Sequence, residues 1–126
     1  MSKKILVVDD STVLRAAVKF CLTNAGYEVV EAINGKHGLE VLQALWDAGE
    51  RPAMILSDIN MPVLDGIGFI KQIKLGPAKF VPILVLTTES QDTKKLEGKA
   101  AGASGWLVKP FKDEQLVGAV KKFVRD

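Results

Sequence analysis

Three short runs in this chain, residues 5–8, 53–57 and 81–87, are almost uninterruptedly apolar. A strand with one wet face alternates apolar and polar residues. A strand without that alternation has both faces covered, as in a parallel sheet between two layers of helices. Two further runs are weaker: 27–32 alternates and 105–109 is short and mixed. Both read as sheet edges. Between the runs lie segments of helical period. From Ser11 the apolar positions are Val13, Leu14, Ala17, Val18, Cys21, Leu22 and Ala25, with Ser11 as N-cap and Gly26 as stop. A second stripe follows Asn34 (Gly38, Leu39, Leu42, Leu45, Trp46). A third begins at Val63 (Leu64, Ile67, Ile70, Ile73), and the last comprises Leu116, Val117, Val120, Phe123 and Val124. Segment 90–102 is a weaker helix, with Gly98 in its middle costing about 1 kcal/mol relative to alanine.

Strand then helix, five times over, predicts an α/β fold: a five-stranded parallel sheet with five helices on its two faces. Right-handed crossovers leave few topologies, and the flavodoxin-like order 2-1-3-4-5 fits. Residues 1–126 read as one domain with no output domain appended. Seventeen Lys and Arg against fifteen Asp and Glu give a net charge of +2, too balanced to argue for nucleic acid. No apolar run approaches the ~20 residues of a membrane span, and the run after Met-Ser-Lys-Lys is too short for a signal peptide. The single cysteine, Cys21, excludes an internal disulfide, sits on the apolar stripe and fits a reducing compartment. A cytoplasmic protein without membrane insertion is expected.

In such a sheet, ligands bind beyond the carboxyl ends of the strands. There the first strand delivers Asp9 and Asp10, the third Asp58, the fourth Thr87 and Thr88, and the fifth Lys109. Strands 1 and 3 are neighbours in this order, so the three carboxylates should cluster. Two like charges 4 Å apart cost about 4 kcal/mol at an effective dielectric of 20. Something positive should therefore offset them. A hard divalent cation such as Mg²⁺, content with one or two carboxylates plus water and substrate oxygens, suits the donors. Lys109 adds a fixed positive charge. Helix capping alone would not need two acids beside Ser11.

VVDDS, SDINMPVLDG, LTTES and GASGWLVKPF, in this order and spacing, resemble the receiver domain of two-component response regulators over essentially the whole chain. Within that family the chain is most similar to the single-domain, CheY-like chemotaxis regulators. The resemblance implies that Asp58 is the phosphoacceptor, attacking a phosphohistidine on a partner histidine kinase. It implies that Asp10, Asp58 and the carbonyl of Asn60 ligate Mg²⁺, with Asp9 acting through water. It also implies that Thr87 and Lys109 engage the phosphoryl group, and that Lys109-Pro110 is a cis bond. Trp106 stands where the family has a switching aromatic, usually Tyr or Phe. Asn60, Thr88 and Glu89 occupy positions that tune phosphoryl lifetime. Thr88 departs from the family's smaller Ala, Gly or Ser, and Lys112 from its usual Ser or Thr cap, with Asp113 and Glu114 as compensation through the helix dipole.

The chemistry suits these roles, because phosphoryl transfer needs placement and charge neutralisation more than covalent help, and a carboxylate is a competent nucleophile. The resemblance further implies a flagellar motor switch protein as phosphorylation-dependent partner, and a possible phosphatase. In the family, the output surface is formed by the segment equivalent to 90–102, the fifth strand and the last helix. Lys94, Lys95, Lys99, Lys121 and Lys122 would lie on it, or form an ordinary solvated face. His37 reads as a solvated residue of the second helix, and Asp65-Gly66 as local structure. A phosphorelay intermediate or phosphate sink would use the same site. A phosphatase of the haloacid dehalogenase type would need a second Asp two residues after its nucleophile, where this chain has Ser11. A flavin module would need a phosphate-cradling loop where the first loop is acidic.

Overall fold

The computed structural model describes residues 3–88, 97, 99 and 101–124. Its strands are β1 (Lys4–Val8), β2 (Glu28–Ala32), β3 (Met54–Ser57), β4 (Ile83–Thr87) and β5 (Gly105–Val108). Its helices are α1 (Thr12–Asn24), α2 (Gly35–Asp47), α3 (Gly66–Lys74) and α4 (Asp113–Phe123). All strand pairs are parallel, and the order is β2-β1-β3-β4-β5, as expected. Four helices are assigned among the described residues instead of five. Most of the expected helix over 90–102 lies outside them, while Glu97, Lys99 and Ala101 have helical backbone.

Every residue of β3 and β4 is buried, whereas β5 is only half-buried and β2 opens exposed. The uninterrupted apolar runs are thus the interior strands and the mixed ones the edges. Side chains alternate between two cores because successive residues of a strand face opposite ways. Leu6, Val8, Ile55, Ile83 and Val85 pack with Leu42 of α2 and Phe69, Ile70 and Ile73 of α3. Ile5, Val7, Met54, Leu56, Leu84 and Leu86 pack with Val18 and Leu22 of α1 and Leu116 and Val120 of α4. Cys21 is a buried free thiol in the second core.

The helix ends follow local chemistry. Ser11 Oγ accepts the Leu14 N–H, Asn34 Oδ1 accepts the His37 N–H, and Asp65 Oδ1 accepts the Gly68 N–H. The third helix thus starts at Gly66 and not at Val63, because Asp65 caps it. Gly26, at φ 98°, terminates α1 in a conformation that glycine adopts without steric cost. Lys112 is the N-cap of α4 without a side-chain cap bond. Instead, Gln115 reaches back to accept the Lys112 N–H at 2.8 Å, with Asp113 and Glu114 in the first turn. His37 differs from expectation. It is half-buried, and its Nδ1 accepts the Ile33 N–H at 3.0 Å, so it braces the start of α2.

Candidate phosphoacceptor and metal site

Three loops at the carboxyl ends of β1, β3 and β5 carry the acids and the lysine to one place. The Asp58 N–H donates to Val8 O at 3.0 Å and the Asp9 N–H to Ala32 O at 3.1 Å. The ladder therefore extends one residue beyond each strand and sets both side chains on the rim. Asp9, Asp10 and Asp58 each offer a carboxylate oxygen, and these oxygens lie within 4.8 Å of one another. Asp9 and Asp58 are buried, while Asp10 is exposed. The expected clustering is therefore what the fold produces.

The three carboxylates are not equivalent. Asp9 is committed on both oxygens: Oδ1 accepts the Ser11 N–H at 2.8 Å, and Oδ2 accepts Lys109 Nζ at 3.0 Å. Asp58 Oδ1 accepts the Ile59 N–H at 2.8 Å. Its Oδ2 lies 3.6 Å from Lys109 Nζ, close enough for attraction but too far for a hydrogen bond. The Asp58 carboxyl is pushed above the ordinary carboxylate value, first by burial and then by the Asp9 charge. The Lys109 ammonium and the N–H groups of Ile59 and Asn60 oppose the rise without cancelling it. All ligand atoms are hard oxygens, and Lys109, the cation paired with the carboxylates among the described residues, does not fully offset them. The donor set fits a small divalent cation.

Thr87 ends β4, fully buried, and its carbonyl accepts the Lys109 N–H at 2.7 Å, which ties the β4 and β5 ends together. Trp106 pairs with Val85 in the ladder, and Thr87 with Val108, so all four side chains lie on one sheet face. Trp106 is half-buried against the core under α2 and α3. Asn60 is exposed two residues past Asp58, and Thr88 is exposed beside Lys109 in a cleft of about 390 Å³ between α1 and α4. Glu89, Lys94 and Lys95 lie outside the described residues, and Lys99, Lys121 and Lys122 are exposed. The Lys109–Pro110 bond is cis.

Three residues that shape the site were not assigned to it from the sequence, Gly66 having been read only as local structure. Arg15 donates from Nη1 to the Asp9 carbonyl, and its Nε lies 3.4 Å from Glu31 Oε1. A cation near the start of a helix opposes the helix dipole; that placement was the available signal. Gly66 lets α3 begin against the strand end, since a Cβ there would lie 2.2 Å from the Asp58 carbonyl oxygen. Buried Ser57 donates its hydroxyl to that same carbonyl at 2.8 Å.

The family model described as the response regulator receiver domain matches residues 5–121. The chemotaxis protein CheY of Thermotoga maritima is 37% identical over 124 residues, which cover 97% of this chain and 98% of that one. The alkaline phosphatase synthesis transcriptional regulatory protein PhoP of Bacillus subtilis is 34% identical over 125 residues; they cover 99% of this chain but only 50% of PhoP, so the chain spans half of that relative. The solved structure of chemotaxis protein CheY4 of Vibrio cholerae superimposes with a TM-score of 0.90 at 44% identity, over 98% of this chain and all of that one. From residue 5 to residue 121, then, this chain belongs to the response regulator receiver family.

Proposed function

We propose that this chain is a receiver that takes a phosphoryl group from a histidine kinase onto Asp58 and signals through phosphorylation-dependent protein binding, with chemotaxis as its setting. The observation that carries this reading is the asymmetry of the rim. Asp9 is held on both oxygens, whereas Asp58 Oδ2 is attracted by Lys109 but not hydrogen-bonded by it. Asp58 attacks phosphorus, an O–P bond forms, and the P–N bond of the phosphohistidine breaks with its electrons returning to the imidazole. The Ile59 N–H orients the nucleophile through Oδ1. Lys109, 3.0 Å from Asp9 and 3.6 Å from Asp58, is placed to share its charge with an incoming phosphoryl oxygen.

Asp10, Asp58 and the Asn60 carbonyl would hold Mg²⁺. Asp9, already committed to Ser11 and Lys109, would act through water. The bound ion would neutralise the carboxylates and shield the phosphoryl oxygens. Thr87 would then turn its hydroxyl to the phosphoryl group and Trp106 would repack, with Asn60, Thr88 and Glu89 tuning the lifetime. The similarity to two chemotaxis proteins over nearly their whole length supports a flagellar motor switch protein as the partner, and a phosphatase as a possible second one.

The test has two parts. Phosphoryl label from a small acyl phosphate should enter the protein only with Mg²⁺ and should be lost in Asp58→Asn; label retained by that variant would show the acceptor to be another residue. A motor switch peptide should bind more tightly to protein treated with Mg²⁺ and beryllofluoride. If no gain is seen, a phosphorelay intermediate or phosphate sink becomes the better reading.

A further inference from the structure

The turn between α3 and β4, at the opposite end of the sheet from the acid rim, displays two large apolar side chains. Leu75 is 83% exposed and Phe80 is 87% exposed. Around them stand Lys71, Lys74 and Lys79, and residues 66–88 contain no acidic residue. Lysines in the last turn of α3 suit the helix dipole, but Lys79 lies beyond the helix and has no such reason. Its amine sits 5.3 Å from the Phe80 ring centroid.

The display is braced from within the turn. Lys74 Nζ donates to the Lys79 carbonyl at 2.8 Å, the Val81 N–H donates to Ala78 O at 3.0 Å, and Ala78 is buried as an anchor. A loop built this firmly to hold a leucine and a phenylalanine in water is an exposed apolar patch of the kind that marks binding surfaces. The same loop closes one side of a cavity of about 120 Å³ between α2 and α3, lined by Leu39, Leu42, Trp46, Ile73, Pro77 and Ala78.

We propose that this surface docks an acidic protein segment carrying apolar side chains. One anchor would enter the α2–α3 cavity, others would cover Leu75 and Phe80, and carboxylates would face Lys71 and Lys79. The charge favours an acidic partner, since residues 66–88 hold no carboxylate to compete for the lysines, and on the α2 side of the cavity the Asp47 carboxylate is held by Gln43 Nε2 at 2.9 Å. The cavity favours a protein over an anionic membrane, because it receives a discrete side chain and a lipid surface offers none. Because this face is remote from Asp58, the segment would bind in either phosphorylation state and leave the acceptor free.

The test selects random twelve-residue peptides, displayed on phage, against the full chain, with counter-selection on a Lys71→Glu, Lys79→Glu, Phe80→Ser variant. All three sites are exposed, so the variant should fold, melting at most a few degrees below the parent because Lys71→Glu opposes the α3 dipole. Enriched peptides should be net acidic with aromatic or aliphatic residues. Anisotropy should show binding at least roughly tenfold weaker to the variant, weakened by raised salt and unchanged by Mg²⁺ and beryllofluoride. Peptides without acidic bias, or equal binding to the variant, would overturn the proposal. Sedimentation of the parent with phosphatidylserine vesicles, lost in the variant, would also overturn it, assigning the patch to a membrane. A concentration-dependent dimer lost in the variant would instead assign it to a second copy of the chain.

Discussion

Asp58 and Val63, five residues apart, are each held in an unfavourable state. Burial and the Asp9 charge raise the Asp58 pKa above its unfolded value. The folded protein therefore binds more protons than the unfolded one between the ordinary carboxylate pKa and the raised one. Stability without metal should fall as pH rises through that window. Asp58→Asn should stabilise the metal-free protein at neutral pH by about 1–3 kcal/mol, the usual cost of an incompletely satisfied buried polar group. The gain should shrink as pH is lowered through the window. Urea melts at neutral and acidic pH check this, and a gain independent of pH would contradict it. Val63 has φ 71°, and the Leu64 N–H donates to Pro62 O at 2.8 Å, which makes a tight γ-turn around a β-branched residue. A positive φ in so tight a turn costs a residue with a branched Cβ roughly 1–3 kcal/mol. Val63→Gly, which has no Cβ to strain the turn, should raise stability by about 1 kcal/mol. An unchanged urea midpoint would show that the strain is not stored there.

α3 is the element that couples packing to the site. Its N-terminus abuts the peptide that carries Asp58, and the Gly66 N–H donates to Ile59 O at 2.8 Å. A Cβ on Gly66 would meet backbone atoms on two sides, the Asp58 carbonyl oxygen at 2.2 Å and Ile59 Cα at 2.7 Å. Backbone cannot rotate away as a side chain can. Gly66→Ala should therefore cost about 1–3 kcal/mol as overpacking, against the roughly 1 kcal/mol that alanine gains inside a helix. The displaced loop should also weaken Mg²⁺ binding. Calorimetric titration would separate the effects; a variant with wild-type metal affinity would mean that α3 moves without carrying Asp58.

At the level of the whole molecule, the carboxylate cluster exists only in the folded state, because its members are 48 or more residues apart except for the adjacent Asp9 and Asp10. A cation that binds this cluster should stabilise the fold by mass action, about 2.7 kcal/mol at a hundredfold excess over its Kd. The melting temperature should rise with Mg²⁺ in the parent chain, and much less in Asp10→Asn, whose carboxylate is exposed and is lost with little change in packing. An equal rise in both would move the metal elsewhere.

Much of this protein was legible before its fold was known. Uninterrupted apolar runs appear only where both strand faces are covered, so β1, β3 and β4 showed themselves as interior strands. The rim acids and lysine could be placed because parallel strands all end on the same side. Caps such as Ser11 were readable because their hydrogen bonds are local. Tertiary structure alone decided that Lys109 is hydrogen-bonded to Asp9 at 3.0 Å and only attracts Asp58 Oδ2 from 3.6 Å, since Lys109 arrives from 51 residues beyond Asp58. It decided equally that Arg15 holds the Asp9 carbonyl and that Gly66 must lack a side chain. Each of these depends on separations between segments that must be right to a few tenths of an ångström. Residue pattern encodes which surfaces are buried, but those separations exist only once the layers have packed.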